Sequence, residues 1–316
     1  MSEDFEPRGM GWLHEPPDLR DFSVEVEEKK KPALESALKD VKAASLKPAQ
    51  KSLSSVKFPF PPPAKHFKNV QYCSPIEDQG ALGSCTANAG MGLLEYYERR
   101  AFGKHIDGSR LFLYKVTRNL LGWTGDTGAY CRTTMGAIAL FGAPPEKYCP
   151  YVVADFDQEP SSFLYAFAQN YQGILYHRID GGTSPLPLLT RIKLNIAAGF
   201  PLMFGFTVYE SYTQAGPTGE IPYPVAGERV VGGHAIVAVG YDNAKKITNA
   251  KPGSAPTTGA LLIRNSWGTG WGCVPPEGSS HKGYGWLPYA YVDKGLAVDW
   301  WTLTKAEWID TGKFGI

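Results

Sequence analysis

No apolar run in this 316-residue chain approaches the roughly 20 residues of a membrane-spanning helix. The amino end, MSEDFEPRGMGWLHEPPDLRDF, has no apolar core of the kind a secretory signal needs. The expectation is a cytoplasmic protein, or one exported by a route the sequence does not display. Charge of one sign is lacking too. The 32 lysines and arginines stand against 31 aspartates and glutamates, so no global field favours nucleic acid, an anionic membrane or acidic substrates. Cysteine is scarce. The five present (Cys73, Cys85, Cys131, Cys149 and Cys273) form no C-x-x-C and no His/Cys cluster at zinc spacing, which argues against a metal site. An odd count leaves at least one thiol free; if that is Cys85, the other four allow three pairings. No cofactor motif and no internal repeat appear, so no cofactor is expected.

What is present suits one large domain or two lobes sharing a cleft. Residues 24–51 are charge-laced, with Leu34, Leu38 and Val41 at helical spacing, and read either as a short amphipathic helix or as a solvated extension. The proline-rich stretch FPFPPPAKHF, residues 58–67, makes a stiff connector. The expected division is an N-terminal extension or short propeptide over 1–57 and a folded body over 58–316. Helical spacing predicts helices over 85–102, 131–142 and 186–198. Short β-branched or aromatic runs bounded by Gly, Pro and Asn predict strands over 201–209, 234–242, 260–267 and 284–292. A helix-rich front and a strand-rich back imply an α+β fold, with a helical lobe over about 70–185 and a β lobe over about 186–316.

Cys85 opens the first of these helices, within EDQGALGSCTANAG. A thiol becomes a strong nucleophile when ionised, and a helix N-terminus and a neighbouring imidazolium both favour that. Of six histidines, His234 stands out, in VGGHAIVAVGYD at a predicted strand start. By itself it reads more readily as a half-buried histidine bonded to backbone. Asn265, in IRNSWGTGWG, has a side chain able to orient an imidazole, but also suits turn chemistry. Gln79 offers a side-chain N–H that, with the backbone N–H of Cys85, would make an oxyanion hole for acyl transfer.

Together the stretches QGALGSC (79–85), GGHAIVAVGYD (232–242) and NSWGTGWG (265–272), in that order, resemble the papain-like cysteine peptidases. A weaker likeness in SRLFLY and GDTGAYCRTTMGAIALFGAPPEKYCPY extends the resemblance over about 58–310. It implies a papain-like two-lobed fold, a helical lobe and a β-barrel-like lobe with the site in the cleft. It implies Cys85 as nucleophile, His234 as general base and then acid, Asn265 as its orienter and Gln79 as oxyanion donor. Trp267 would cover the His–Asn hydrogen bond, and Gly128 would pair with extended substrate. Gly83 and Gly233 join these as substrate-binding positions. The subsite for the second residue before the cut would draw on Tyr130, Cys131 and the stretch from Ala297 to Trp300. The reaction implied is peptide hydrolysis through a thioester acyl-enzyme. Partners would be a protein or peptide substrate and the chain's own N-terminal segment over the cleft, with no nucleic acid and no membrane.

The chain departs from the family's pattern in places. Leu82 stands where a cysteine is usual and Thr86 where an aromatic residue is usual. Residues 243–259 and 273–283 read as inserted loops. The extension is too short for the common inhibitory prodomain, yet long enough to cross the cleft, with Trp12, Leu13, Leu19 and Phe22 as candidate anchors. Alternatives are an exopeptidase whose cleft is plugged by the extension or by the 273–283 loop, a transglutaminase-like acyl transferase, and an inactive binding module.

Overall fold

A computed structural model describes residues 9–18, 21, 59–182 and 184–308. The helical pattern of Leu34, Leu38 and Val41, and the candidate anchors Leu19 and Phe22, lie outside the described residues.

Helix α1 spans Cys85–Phe102, the range the periodicity predicts. It ends on Gly103 at φ 74° after Arg99 and Arg100, whose charges suit the negative end of the helix dipole. Its small residues admit close neighbours. A Cβ on Gly92 would lie 2.5 Å from the guanidinium of Arg264, and one on Gly90 would press on Ile138 and Thr134. Helix α2, Arg110–Leu121, starts where Ser109 accepts the Phe112 N–H (3.1 Å) and stops at left-handed Gly122. Helix α3, Cys131–Leu140, ends two residues short of the predicted Gly142, and α4 spans Ser162–Ala168.

Seven strands form one antiparallel sheet, most of them from the back of the chain but two, at 65–66 and 171–178, from before the expected lobe boundary at 186. In chain order its strands are β1 Lys65–His66, β2 Tyr171–Arg178, β3 Leu202–Tyr209, β4 Val230–Ile247, β5 Thr257–Arg264, β6 Tyr284–Pro288 and β7 Ala297–Trp308. They lie in the order β2-β7-β3-β4-β5-β6, with β1 added to β4. The sheet stays open, with β2 and β6 at opposite ends. One core joins α1, α2 and α3 to one face. A second core packs helix α5, Leu188–Ala198, on the other face, around Phe204 stacked on Trp300 at 3.9 Å. The predicted strand over 284–292 is shorter. Pro288 cannot donate to the ladder, and Tyr289–Asp293 turn into helix α6 behind it.

The 243–259 insertion continues the β4–β5 ladder as far as the pair Ile247 and Thr257. The 273–283 loop packs on the chain at 70–76. A Cβ on Gly278 would meet Val70 and Gln71, and one on Gly283 would meet Ile76. All five cysteines are free thiols.

Candidate active site

Cys85 is fully buried at the first turn of α1. His234 lies on β4 opposite Phe206, and Asn265 follows directly on β5. Register sets Val237 against Arg264, so Asn265, the next residue, lies diagonally across from His234 on the neighbouring strand. The imidazole Nε2 lies 2.8 Å from Asn265 Oδ1, and that same oxygen accepts the Ser266 N–H at 2.8 Å. An oxygen already taking a backbone donor is an acceptor, so Nε2 carries the proton and Nδ1 is left as the basic nitrogen. Nδ1 is buried and has no hydrogen-bond partner. Trp267 stacks on the imidazole (centroids 4.5 Å apart, 18°), and Phe206 meets the ring edge-on at 5.9 Å. Trp271 backs Trp267 in turn. The Nε2–Asn265 bond is thus shielded from water.

The Cys85 thiol sits against the backbone N–H of Ala235, the residue after His234, and accepts the Gly11 N–H at 3.4 Å. Burial pushes this thiol up to about 11 and pulls His234 down to about 4. Both groups are therefore neutral at pH 7 in this arrangement.

Gln79 is held on every side. Its Oε1 accepts the Ser266 hydroxyl (2.6 Å), and its own N–H bonds Ser266 O (2.9 Å). Gly268 N–H reaches Glu77 O (3.0 Å), so one loop carries Asn265 and Trp267 and also fixes Gln79. With Oε1 engaged, Nε2 must donate, and it does so to Leu82 O (2.9 Å) and Gly9 O (3.0 Å). Tyr151 donates to Gln79 O (3.1 Å) and pairs with Ser84 Oγ (2.6 Å). Nearby, Asp126 accepts Gly83 N–H (3.0 Å) and the Tyr114 hydroxyl (2.5 Å), which in turn accepts Gly128 N–H (3.0 Å). Gly83 and Gly128 are thereby tied to one carboxylate. Asp126, Tyr114, Tyr151 and Ser266 escape sequence reasoning because no spacing rule links them; each reaches its partner only through the fold.

The cleft is filled by the chain's own amino end. Gly9 N–H bonds Gly80 O (3.0 Å), and Ala129 N–H bonds Gly11 O (2.7 Å). Trp12–Leu13 run parallel to Ala129–Tyr130 as a two-residue strand pair. The threading is tight. A Cβ on Gly9 would lie 2.0 Å from Leu82 O, and one on Gly11 would lie 1.8 Å from Gly83 O. The Trp12 indole lies over Gly205, where a Cβ would sit 1.8 Å from ring atoms, and against Gly233. Its N–H reaches Asp299 Oδ2 at 3.2 Å. Of the other candidate anchors in the described residues, Leu13 is more exposed than Trp12.

Beyond Trp12 an ionic clamp closes over the segment. Arg132 pairs with Glu15 and, through Nε, with Asp21 (2.6 Å), and bonds Pro16 O (2.8 Å). Arg178 reaches Asp21 (3.4 Å), Glu15 O (3.0 Å), Asp180 (2.9 Å) and Asp299 (3.3 Å). Burial works to raise the Asp21 carboxyl. The hydrogen bonds from Arg132 and Asp18 N–H, with the charges of Arg132 and Arg178, outweigh it and hold the group below its usual value.

Among the described residues, no three His, Cys, Asp or Glu side chains gather as a metal site, and no helix is long and apolar enough to cross a membrane.

Residues 62–274 match the family described as papain family cysteine protease. An uncharacterised peptidase C1-like protein of Acanthamoeba polyphaga mimivirus is 33% identical over 235 residues, 72% of this chain and 69% of its own length. Cathepsin K of Gallus gallus is 27% identical over 219 residues, 67% of this chain and 56% of its own length. The chain thus spans little more than half of that relative. Among solved structures, xylellain, a cysteine protease from Xylella fastidiosa, superposes with a TM-score of 0.68 at 27% identity, covering 95% of this chain and 97% of its own.

Proposed function

The chain belongs to the papain family of cysteine proteases, and on that premise we propose that it is an endopeptidase held latent by its amino-terminal segment at residues 9–18 and Asp21, with Cys85, His234, Asn265 and Gln79 as its catalytic set. The His234 Nδ1 takes the Cys85 thiol proton. The thiolate then attacks the carbonyl carbon of a peptide bond. Charge develops on the carbonyl oxygen, and the Gln79 Nε2–H and Cys85 N–H stabilise it. Asn265 keeps the imidazole in the tautomer that leaves Nδ1 basic, and Trp267 keeps water from that bond. The imidazolium protonates the departing amine, leaving a thioester on Cys85. Water, deprotonated by His234, attacks the thioester, and the proton returns to the thiol as the acid leaves. Gly128, Gly83 and Gly233 leave room for an extended chain between the lobes.

One observation carries the latency. The amino-terminal segment meets both halves of the machinery at once, with Gly11 N–H on the Cys85 sulfur and Gly9 O on Gln79 Nε2. The sulfur faces an N–H, so the segment presents a donor where a substrate must present a carbonyl carbon. It also dehydrates the thiol and the imidazole, which keeps both neutral. Withdrawal returns water to the site and lets the ion pair form. The 273–283 loop packs on residues 70–76.

The test is intact mass after exposure to a peptidyl epoxide, using the full chain, its Gly11→Val form and Cys85→Ala. The expected result is one adduct, slow in the wild type, fast in Gly11→Val and absent in Cys85→Ala. Internally quenched peptides then distinguish internal cleavage from trimming at an end. Ammonia release without peptide cleavage would instead indicate an acyl transferase.

A further inference from the structure

Two walls of the slot that Trp12 occupies are glycines without side chains, and its floor is a carboxylate. Gly205 on β3 and Gly233 on β4 line it, and the nearest neighbours of a Cβ on Gly205 are all indole atoms of Trp12. Asp299 is fully buried at φ 63°, a left-handed backbone that L residues rarely adopt. Asp180 holds it there, accepting the N–H of Asp299 (2.8 Å) and of Trp300 (3.0 Å). The two Asp299 oxygens differ. Oδ1 accepts the Trp301 indole N–H (2.7 Å) and lies 3.3 Å from Arg178. Oδ2 faces the slot and takes the Trp12 indole N–H at 3.2 Å. The Cys131 thiol flanks the same carboxylate.

We infer that, with the segment withdrawn and this slot serving as the subsite the family resemblance implies, Asp299 selects a long side chain ending in N–H donors, tryptophan or arginine, over leucine or phenylalanine. The inference rests on the peptidase reading above. A leucine or phenylalanine side chain in the slot would cover Oδ2 and offer it no donor, and a buried acceptor without a donor is unfavourable. An indole or a guanidinium fills the width left by the two glycines and supplies the missing N–H. The fixed Asp299 backbone keeps the oxygen aimed before substrate arrives, so the selection needs no rearrangement.

The experiment uses the full chain carrying Gly11→Val and Trp12→Ala, which clears the cleft and empties the slot. Quenched peptides differ only in the second residue before the scissile bond, which is tryptophan, arginine, leucine, phenylalanine or alanine. The expected kcat/KM for tryptophan and arginine exceeds that for leucine and phenylalanine by about tenfold or more. Adding Asp299→Asn turns the preference off. Oδ1 already serves two donors, so the amide oxygen takes that place and the NH2 group points into the slot, where it opposes another N–H. Tryptophan and arginine peptides then fall about tenfold while leucine stays within threefold. Near-UV dichroism checks the fold. If Asp299→Asn does not fold, Gly205→Ala narrows the slot from a wall whose nearest neighbour was Trp12, and the bulky peptides fall relative to the alanine peptide. Equal or better cleavage of leucine and phenylalanine peptides by the parent would overturn the inference while leaving the peptidase intact. Failure to cut any peptide, with Cys85 unreactive to the epoxide, would instead remove the reading beneath it.

Discussion

Gly11 is the narrowest point of the threaded segment, and Gly11→Val should unseat it. A Cβ there would stand 1.8 Å from Gly83 O and 2.5 Å from Gly83 C, well inside the 3.0 Å that real Cβ contacts respect. Gly83 has little freedom to yield, since Asp126 grips its N–H and it lies two residues before α1. The segment must therefore move by more than an ångström. That movement breaks three hydrogen bonds: Ala129 N–H to Gly11 O, Gly11 N–H to the Cys85 sulfur, and Gln79 Nε2 to Gly9 O. At about 0.5–1.5 kcal/mol each, the loss is about 1.5–4.5 kcal/mol. The open population then rises by about tenfold to a thousandfold. The assay is the second-order rate of Cys85 alkylation, followed by intact mass, beside the rate of peptide hydrolysis; both should rise together by that factor. An unchanged alkylation rate, in a protein whose thermal unfolding stays cooperative, would refute the idea that this segment controls access to the thiol.

In the unseated chain, Gln79→Ala should lower kcat/KM by about 10²–10³ while leaving epoxide alkylation of Cys85 within a few-fold; equal losses in both would assign Gln79 a structural role. The ionic clamp should open in acid. Asp21 is held below its usual value in the closed state, so the stabilisation it contributes is full above 3.8 and fades as pH falls through the lower, clamped value. Hydrogen exchange of residues 9–13, corrected for intrinsic rate, should show protection lost below that pH, and lost at neutral pH in Arg132→Ala; protection that persists in both would discount the clamp. Glu98 behaves oppositely. Burial lifts it to about 8 from 4.5, so the unfolded chain sheds this proton first and stability declines as pH rises between those values. Glu98→Gln keeps an acceptor for the Ile106 N–H and should flatten the slope of melting temperature against pH over that interval; an unaltered slope would place the titration elsewhere.

Local pattern reached far in this chain because helices and strands announce themselves by period. The 85–102 helix is visible in its spacing and its Arg99–Arg100 end; the strand Thr257–Arg264 is visible in its apolar run, although the pattern over 260–267 carries it three residues too far, into Asn-Ser-Trp. The pattern misled at 284–292, where aromatic richness reads as strand and Pro288 divides it. Of the proposed catalytic set, the sequence displays Cys85, His234, Asn265 and Gln79, because each lies in a motif whose order along the chain is itself the signal. Their meeting is a matter of register: one pairing of β4 with β5 sets Asn265 diagonally across from His234, within hydrogen-bond reach.

The supporting shell could not be read in the same way. Asp126 and Tyr114 tie Gly83 to Gly128, and Ser266 orients Gln79 from 187 residues away. No periodicity couples such positions, since a hydrogen bond between distant segments depends on where the whole chain returns. The amino end shows the division most plainly. Its sequence determined that Gly9 and Gly11 lack side chains and that Trp12 carries an N–H on a broad apolar ring. Only the tertiary structure decided that these glycines pass within 2.0 Å of a would-be Cβ clash with Leu82 and Gly83. It alone put Trp12 over two further glycines and onto a buried carboxylate near the other end of the chain. Composition sets what a segment is able to bury; the surface it is buried against exists only once the two lobes have packed.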